Sequence, residues 1–246
     1  MEYRRSNNKE ILGIYKQYYK DINGGIDGYY EKTILDADIY EVYDQSTLAY
    51  FSVHYSRGLT SLVVLPEYKS IYNSIFSFVM TLPLFTNILF TENDKEFLKH
   101  IKKHNIQYEI QAYNFEVNKK IVSSIKMKRT TKNDIDRIKK EFGEFIEYNE
   151  MQIEIIDSFF YTLNNELISF GALEPLLLNE NRYCVSMIVN EAYRGKGYGS
   201  ETVKYLVEYL QSNNLECNAR CYVLNEVSRK TLIKSGLDIC GKLYKV

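Results

Sequence analysis

Hydrophobic and polar positions along this chain switch between two periods, and the switches mark its elements. In the second half, residues 159–163 and 167–173 read as strands with Asn164 and Asn165 between them, which predicts a β-hairpin. Upstream, 123–128 reads as a strand. Asn133 or Asp134 can then cap a helix that carries Ile135, Ile138 and Phe142 at helical spacing. After a turn at 179–181 comes Cys184-Val185-Ser186-Met187-Ile188-Val189, a short apolar run that fits a strand buried on both faces. Val203, Leu206, Val207 and Leu210 follow at i, i+3, i+4 and i+7, the stripe of an amphipathic helix. A strand over 215–223 and a last one over 238–244 complete the sheet.

The first half repeats that order. It has a hairpin (38–43 and 48–55), a strand ending at Leu65, a helix over 71–80, a strand over 87–90, a helix over 94–104 and a strand over 108–113. Leu62-Val63-Val64-Leu65-Pro66-Glu67-Tyr68-Lys69 can be laid on Met187-Ile188-Val189-Asn190-Glu191-Ala192-Tyr193-Arg194 without a gap. Two copies of one α/β unit, 1–120 and 121–246, account for this. An unrelated α/β domain in the first half is the alternative.

Between strand and helix in the second copy lies Arg194-Gly195-Lys196-Gly197-Tyr198-Gly199. Three glycines at alternate positions clear side chains from the backbone, so that several N–H groups can converge on one anion. The helix they open adds the positive end of its dipole. Strand, glycine loop and helix together predict a site for a phosphate-bearing cofactor. In the first copy, Lys69-Ser70-Ile71-Tyr72-Asn73-Ser74 stands in place of the loop, and β-carbons at every position predict that it admits no pyrophosphate.

Spacing narrows the cofactor. The glycines do not make G-x-G-x-x-G, and no carboxylate ends the next strand; the phosphate loop of nucleotide hydrolases is also absent. The pattern R-x-x-G-x-G at Arg194, Gly197 and Gly199 resembles the acetyl-CoA loop of GNAT-type N-acetyltransferases. Val189-x-x-x-Tyr193-Arg194 upstream is similar to that family's strand end. Asn225-x-x-Ser228 with Lys234-Ser235-Gly236-Leu237 downstream resembles its second signature. The resemblance covers about residues 121–246. It implies a layered α/β fold with a mixed, mostly antiparallel central sheet flanked by helices, in tandem with a degenerate amino-terminal copy. It also implies direct transfer of an acetyl group from acetyl-CoA to the primary amine of a small molecule or peptide.

Residue roles follow from the same resemblance. The backbone of Met187, Ile188 and Val189 would pair with the acyl and pantetheine arm. The amides of Arg194, Gly195, Lys196, Gly197, Tyr198, Gly199 and Ser200 would hold the pyrophosphate, with charge added by Arg194 and Lys196. Asn225 and Ser228 would contact the arm, although Asn225 serves equally as a helix cap. Charge-assisted contacts worth about 1.5–3 kcal/mol each reach the ~8 kcal/mol of micromolar binding with a handful of bonds. The chain departs from the family at Leu232, where many members carry the tyrosine that protonates the thiolate. Tyr222, a water or nothing is left for that role, and Glu174 is preferred as general base, ahead of Glu191. With these two family features missing, an acyl-CoA-binding regulator without turnover stands as the alternative. The first copy could also be a module that brings the transferase its target.

Composition removes competitors. The 246 residues carry 31 Lys and Arg against 32 Asp and Glu, a net charge of −1, so no global field recruits nucleic acid or anionic membrane. The apolar window 71–90 is broken by Asn73, Pro83 and Asn87, which argues against a membrane span, and no signal-peptide pattern opens the chain. Cys184, Cys217, Cys221 and Cys240 form no C-x-x-C pair and read as the reduced thiols of a cytoplasmic protein. No metal is expected: His100 and His104 lie one helical turn apart among Lys99, Lys102 and Lys103, which reads as a solvated basic face.

Overall fold

The computed structural model of the protein describes residues 1–6, 10–20, 22 and 26–246. It divides into two compact units. One comprises Met1–Asn114, Leu177–Asn179 and Cys240–Val246; the other comprises Phe115–Leu176 and Glu180–Ile239.

In the first unit, β1 (Glu2–Arg5), α1 (Ile11–Lys20) and α2 (Gly28–Leu35) precede the antiparallel strands β2 (Asp38–Asp44), β3 (Ser46–His54) and β4 (Gly58–Val64). A 3-10 turn at Pro66–Ile71 leads into α3 (Tyr72–Met80), followed by β5 (Leu89–Thr91), α4 (Lys95–Lys103) and β6 (Glu109–Glu116). A single parallel bridge, Leu59 to Ile88, joins β4 to the approach of β5, and the two strands then fork. Tyrosines of α1 and α2 pack in one buried cluster with Val63 of β4 and Leu89 of β5. Three of their hydroxyls are satisfied there. Tyr15 meets Ser52 Oγ at 2.8 Å, Tyr19 meets Ser61 Oγ at 2.7 Å, and Tyr30 donates to the Thr60 carbonyl at 2.7 Å.

The second unit contains β7 (Lys128–Arg129), α5 (Ile135–Tyr148), β8 (Asp157–Leu163), β9 (Glu166–Pro175), β10 (Arg182–Val189), α6 (Tyr198–Ser212), β11 (Glu216–Tyr222) and α7 (Glu226–Lys234). Its strands lie in the order β11-β10-β9-β8-β7. The β8–β9 hairpin turns on Asn164 and Asn165, at φ 49° and 64°, the paired positive φ values that a tight two-residue hairpin needs. Ile138, Phe142 and Ile146 of α5 pack on Phe160, Phe170, Ala172 and Ile188 on one face of the sheet. The other face carries α6, and Ser169 Oγ meets Thr202 Oγ1 at 2.6 Å beneath it.

Several expectations change. Residues 123–128 are not a strand, and β7 holds only Lys128 and Arg129. The N–H groups of Ser123 and Ser124 bond the carboxylates of Glu208 and Glu201 instead of a ladder partner. Asp134 occupies the cap position of α5, but its carboxylate turns back to the N–H of Thr131 at 2.9 Å. The final strand, β12 (Asp238–Lys245), pairs antiparallel with β5, and Cys240–Val246 belongs to the first unit. Side-chain fit holds it there. Leu243 joins the buried cluster of Tyr15, Leu89 and Ala112, and Tyr244 packs on Phe90 and Tyr108 with its hydroxyl donated to Glu92 at 2.8 Å. His100 is buried rather than solvated, stacked on Tyr72.

Candidate functional site

β10 was expected to be buried on both faces, yet from Ser186 onward it is only half-buried. The reason is the sheet. β10 pairs with β11 in parallel at Arg182↔Glu216, Tyr183↔Cys217 and Cys184↔Asn218, and the register goes no further. The opposite edge stays paired with β9 as far as Val189↔Ser169. Along Ser186–Val189, therefore, one edge of β10 has no strand partner among the described residues, and its backbone donors and acceptors face a fork.

At the open end of the fork the chain makes a 3-10 turn, Glu191–Tyr193, capped by Asn190, whose Oδ1 accepts from the Ala192 N–H at 3.0 Å. Gly195 and Gly197 then take φ of +77° and +90°, a left-handed backbone that only glycine adopts without strain. Gly197 is the cap of α6 and offers it no side chain. The first bond into the helix runs from the Glu201 N–H to the Gly197 carbonyl at 3.2 Å, so helix geometry leaves the N–H groups of Tyr198, Gly199 and Ser200 without acceptors. A Cβ at Gly195 or Gly197 would meet no atom within 4 Å, so nothing packs against the loop at these two positions. Gly199 is needed for another reason. A Cβ there would lie 3.1 Å from Met187 Cε, 3.3 Å from Thr231 Cγ2 and 3.4 Å from Val189 Cγ2, so its absence lets α6 settle onto β10 and α7.

The two cations of the loop do not face this fan of donors. Arg194 pairs with Glu191 at 2.7 Å and donates from Nε to the Val189 carbonyl at 3.2 Å. Lys196 donates to the Ala192 carbonyl at 3.1 Å and lies 4.8 Å over the ring of Tyr193. Such exposed pairs are worth about 0–1 kcal/mol, so either cation can be recruited to an anion at little cost. The Tyr193 hydroxyl donates to Glu166, which raises its pKa, and the ring of Tyr198 packs on Tyr161 and Tyr193. Glu166 and Tyr161 are not legible in the motif, because β9 and β8 supply them.

Across from the loop, Asn225 caps α7 by accepting from the Ser228 N–H at 3.0 Å. Ser200 is buried, and its hydroxyl donates to the Thr231 carbonyl at 3.3 Å, so only its N–H faces the opening. Leu232 is buried, so its position presents nothing to the fork. Burial also raises the pKa of the Cys221 thiol, which donates to the Asn225 carbonyl at 3.1 Å.

The fold thus gathers Met187, Ile188, Val189 and the 194–200 loop around the open end of the fork, with Asn225 and Ser228 at the start of the adjoining helix. Glu174 is not at the loop. It lies opposite Cys184, five residues from Val189 and about 17 Å down the strand, where the fork closes. Tyr222 ends β11 at the open end, 43% exposed. The two proposed proton-transfer groups therefore stand at opposite ends of the fork. Among the described residues no three His, Cys, Asp or Glu gather as a metal site, and no helix is long and apolar enough to cross a membrane.

The fork, the glycine-opened helix and the capped helix beside it can be compared with known proteins. A family profile described as acetyltransferase (GNAT) domain matches residues 7–118, and one described as acetyltransferase (GNAT) family matches residues 128–236. No curated protein matches the sequence. In three dimensions the chain is similar to an acetyltransferase of the GNAT family from Colwellia psychrerythraea. The TM-score is 0.85 at 13% identity, over 100% of this chain and 98% of that one. It is also similar to a tandem GNAT protein from the clavulanic acid biosynthesis pathway, with a TM-score of 0.62 at 8% identity over 100% and 98%. At such identities the structural likeness speaks to the fold, while the two profile matches carry the family. The chain belongs to the GNAT acetyltransferases and holds two domains of that family in tandem.

Proposed function

We propose that the second unit binds acetyl-CoA and transfers its acetyl group to the primary amine of a small molecule or peptide. The observation that carries this reading is the set of unaccepted N–H groups at the start of α6, on a loop whose left-handed glycines nothing packs against, beside a strand with one unpaired edge. A pyrophosphate supplies the acceptors these donors lack. The edge of Met187, Ile188 and Val189 would then receive the pantetheine arm, with Asn225 and Ser228 against its other side. Glu174 takes the amine proton; Tyr222 stands at the other end of the fork, which leaves water to return one to the thiolate. The acceptor is neither nucleic acid nor a membrane component, in keeping with the balanced charge. The four cysteines form no disulfide among the described residues, which fits a cytoplasmic protein.

The first unit is proposed to hold no cofactor. Its loop runs from a 3-10 turn straight into α3 without a positive φ among the described residues, and Tyr15, Tyr19 and Tyr30 pack where the β4–β5 fork opens. A second reading, an acyl-CoA-binding regulator without turnover, is favoured by one observation: Leu232 is buried at the position of the usual proton donor. Calorimetry with acetyl-CoA should give one site per chain, and release of free thiol with a panel of amines should follow. One site with no thiol release for any amine supports the regulator. Two equal sites would refute the vacant first unit, and no binding would refute both readings.

A further inference from the structure

A cavity of about 310 Å³ opens in the second unit where β7 runs into α5 and the chain before β8 passes beside it. Its size lies at the small end of ligand pockets, which span about 300–1,000 Å³. Arg129, Thr130, Lys132, Ile135, Ile156 and Ser158 are among its walls. The Thr130 N–H donates to the Ser158 carbonyl at 2.8 Å, so these two residues are cross-strand neighbours. Ser158 is 2% exposed, and neither its hydroxyl nor that of Thr130 has a hydrogen-bond partner. Buried hydroxyls are normally satisfied, so a pair left empty against a cavity calls for an explanation. The start of α5 is unfilled as well. Asp134 turns its carboxylate to the Thr131 N–H, and the first bond into the helix runs from the Ile138 N–H to the Asp134 carbonyl at 3.0 Å. Helix geometry then leaves the N–H groups of Ile135, Asp136 and Arg137 without acceptors. Arg129 is held by Asp157, and Glu154 by Lys139 at 2.6 Å, which leaves Lys132 as the cation of the walls outside these pairs. Hydroxyls, helix start and lysine together suit an anion.

We propose that this cavity takes the carboxylate of the amine acceptor. This rests on the acetyl-CoA reading above. Strand register makes the link. Asp157, in the wall of the cavity, pairs with Leu173, and Glu174 is the next residue of β9. Glu174 shares the parity of Phe170 and Ala172, which pack against α5 together with Ile135 and Ile156, so it stands on the face of the sheet that carries the cavity. Seen from β9, the cavity begins one strand away at Ser158 and ends two strands away at Thr130, about 5–10 Å across the sheet. An amine brought to Glu174 with its carboxylate in the cavity therefore holds the two groups that far apart. An α-amine and its own carboxylate share one carbon and fall short. A longer amino acid or a short peptide reaches, and Ile135 and Ile156 offer apolar surface to the carbons between its charges. A polyamine would instead set a second cation against Lys132.

The test gives the full chain acetyl-CoA with ε-aminocaproate, with hexylamine, which lacks the carboxylate, and with spermidine. Wild type should show a kcat/KM for ε-aminocaproate about tenfold above that for hexylamine, the effect of one charge-assisted hydrogen bond, and should disfavour spermidine. Lys132→Met, at an exposed position, should raise the KM for ε-aminocaproate about tenfold and leave its kcat, the hexylamine kinetics and CoA affinity unchanged. Ser158→Ala should shift the same KM, and its melting temperature should hold, because the hydroxyl has no partner to lose. A structural role alone would move stability and not the ratio of the two amines. Calorimetry of each amine against the CoA-loaded chain reads the same contrast without turnover. Glycylglycine separates a peptide terminus from a free amino acid, and a preference for either carboxylate over hexylamine supports the proposal. Equal handling of the amines with and without a carboxylate, binding of none of them, a preference for spermidine, or a carboxylate preference that survives both variants overturns the proposal and leaves the transferase reading standing. A chain that binds no CoA overturns both.

Discussion

Replacing Gly197 by alanine probes the loop through its backbone alone. At φ +90° a β-carbon costs about 1–2 kcal/mol, and no atom lies within 4 Å of it, so packing adds nothing. The variant has two ways to respond. It can keep the left-handed turn, in which case the donors stay aligned and stability falls by that amount, roughly 2–8 °C in melting temperature for a chain of this size. It can instead relax to negative φ, which restores stability but turns one or two N–H groups away from the anion. Each lost charge-assisted bond is worth about 1.5–3 kcal/mol, or roughly 10- to 150-fold in affinity for CoA. Calorimetry and thermal unfolding on one preparation read both quantities, and together they should account for the strain. Gly197→Asn should lose less, since asparagine tolerates the left-handed region. An alanine variant with wild-type melting temperature and wild-type CoA affinity would refute the reasoning.

Gly199→Val acts by contact, not by strain. Its methyl groups must displace Met187, Val189 and Thr231, so it should lose about 1–3 kcal/mol of stability together with CoA affinity, whereas the Gly197 variant trades one for the other. Asn225→Ala should cost about 1 kcal/mol as a lost cap, and Asn225→Ser should restore it. If the serine variant recovers full CoA affinity as well, Asn225 acts only as a cap. In the first unit, burial raises the Asp94 carboxyl to about 6, against the pull of the Phe97 N–H and the Tyr18 hydroxyl. The folded state therefore prefers the protonated form. That stability is complete below the ordinary value of 3.8 and is lost as pH rises through 6, by about 2–3 kcal/mol between pH 4 and pH 7. Asp94→Asn keeps the helix cap and should flatten this dependence in thermal unfolding; identical pH profiles for variant and wild type would count against it.

Local interactions were legible in the sequence. The glycine loop is readable because positive φ is a property of single residues, and Gly195 and Gly197 adopt it. The stripe Val203, Leu206, Val207, Leu210 specifies α6 because one helix face must bury itself, and all four side chains are fully buried. Asn164-Asn165 set the hairpin because turn geometry is settled within four residues. The loop of the second copy and the signature after it resemble the family's closely enough to expect it.

Tertiary structure decided what depends on neighbours distant in sequence. Periodicity specifies that 238–245 is a strand, but not that Leu243 and Tyr244 fit beside Leu89 and Phe90. The apolar run at 184–189 predicts a strand, but its half-burial arises because β11 turns away after Asn218. Glu166 and Tyr161 reach Tyr193 and Tyr198 only because β9 and β8 pass beside the loop. The assembled sheet alone buries the Asn218 amide and leaves its Nδ2 without an acceptor. The chain encodes each element by contacts within a few residues, whereas the cleft between elements exists only once non-local packing has chosen which edges pair and which stay open.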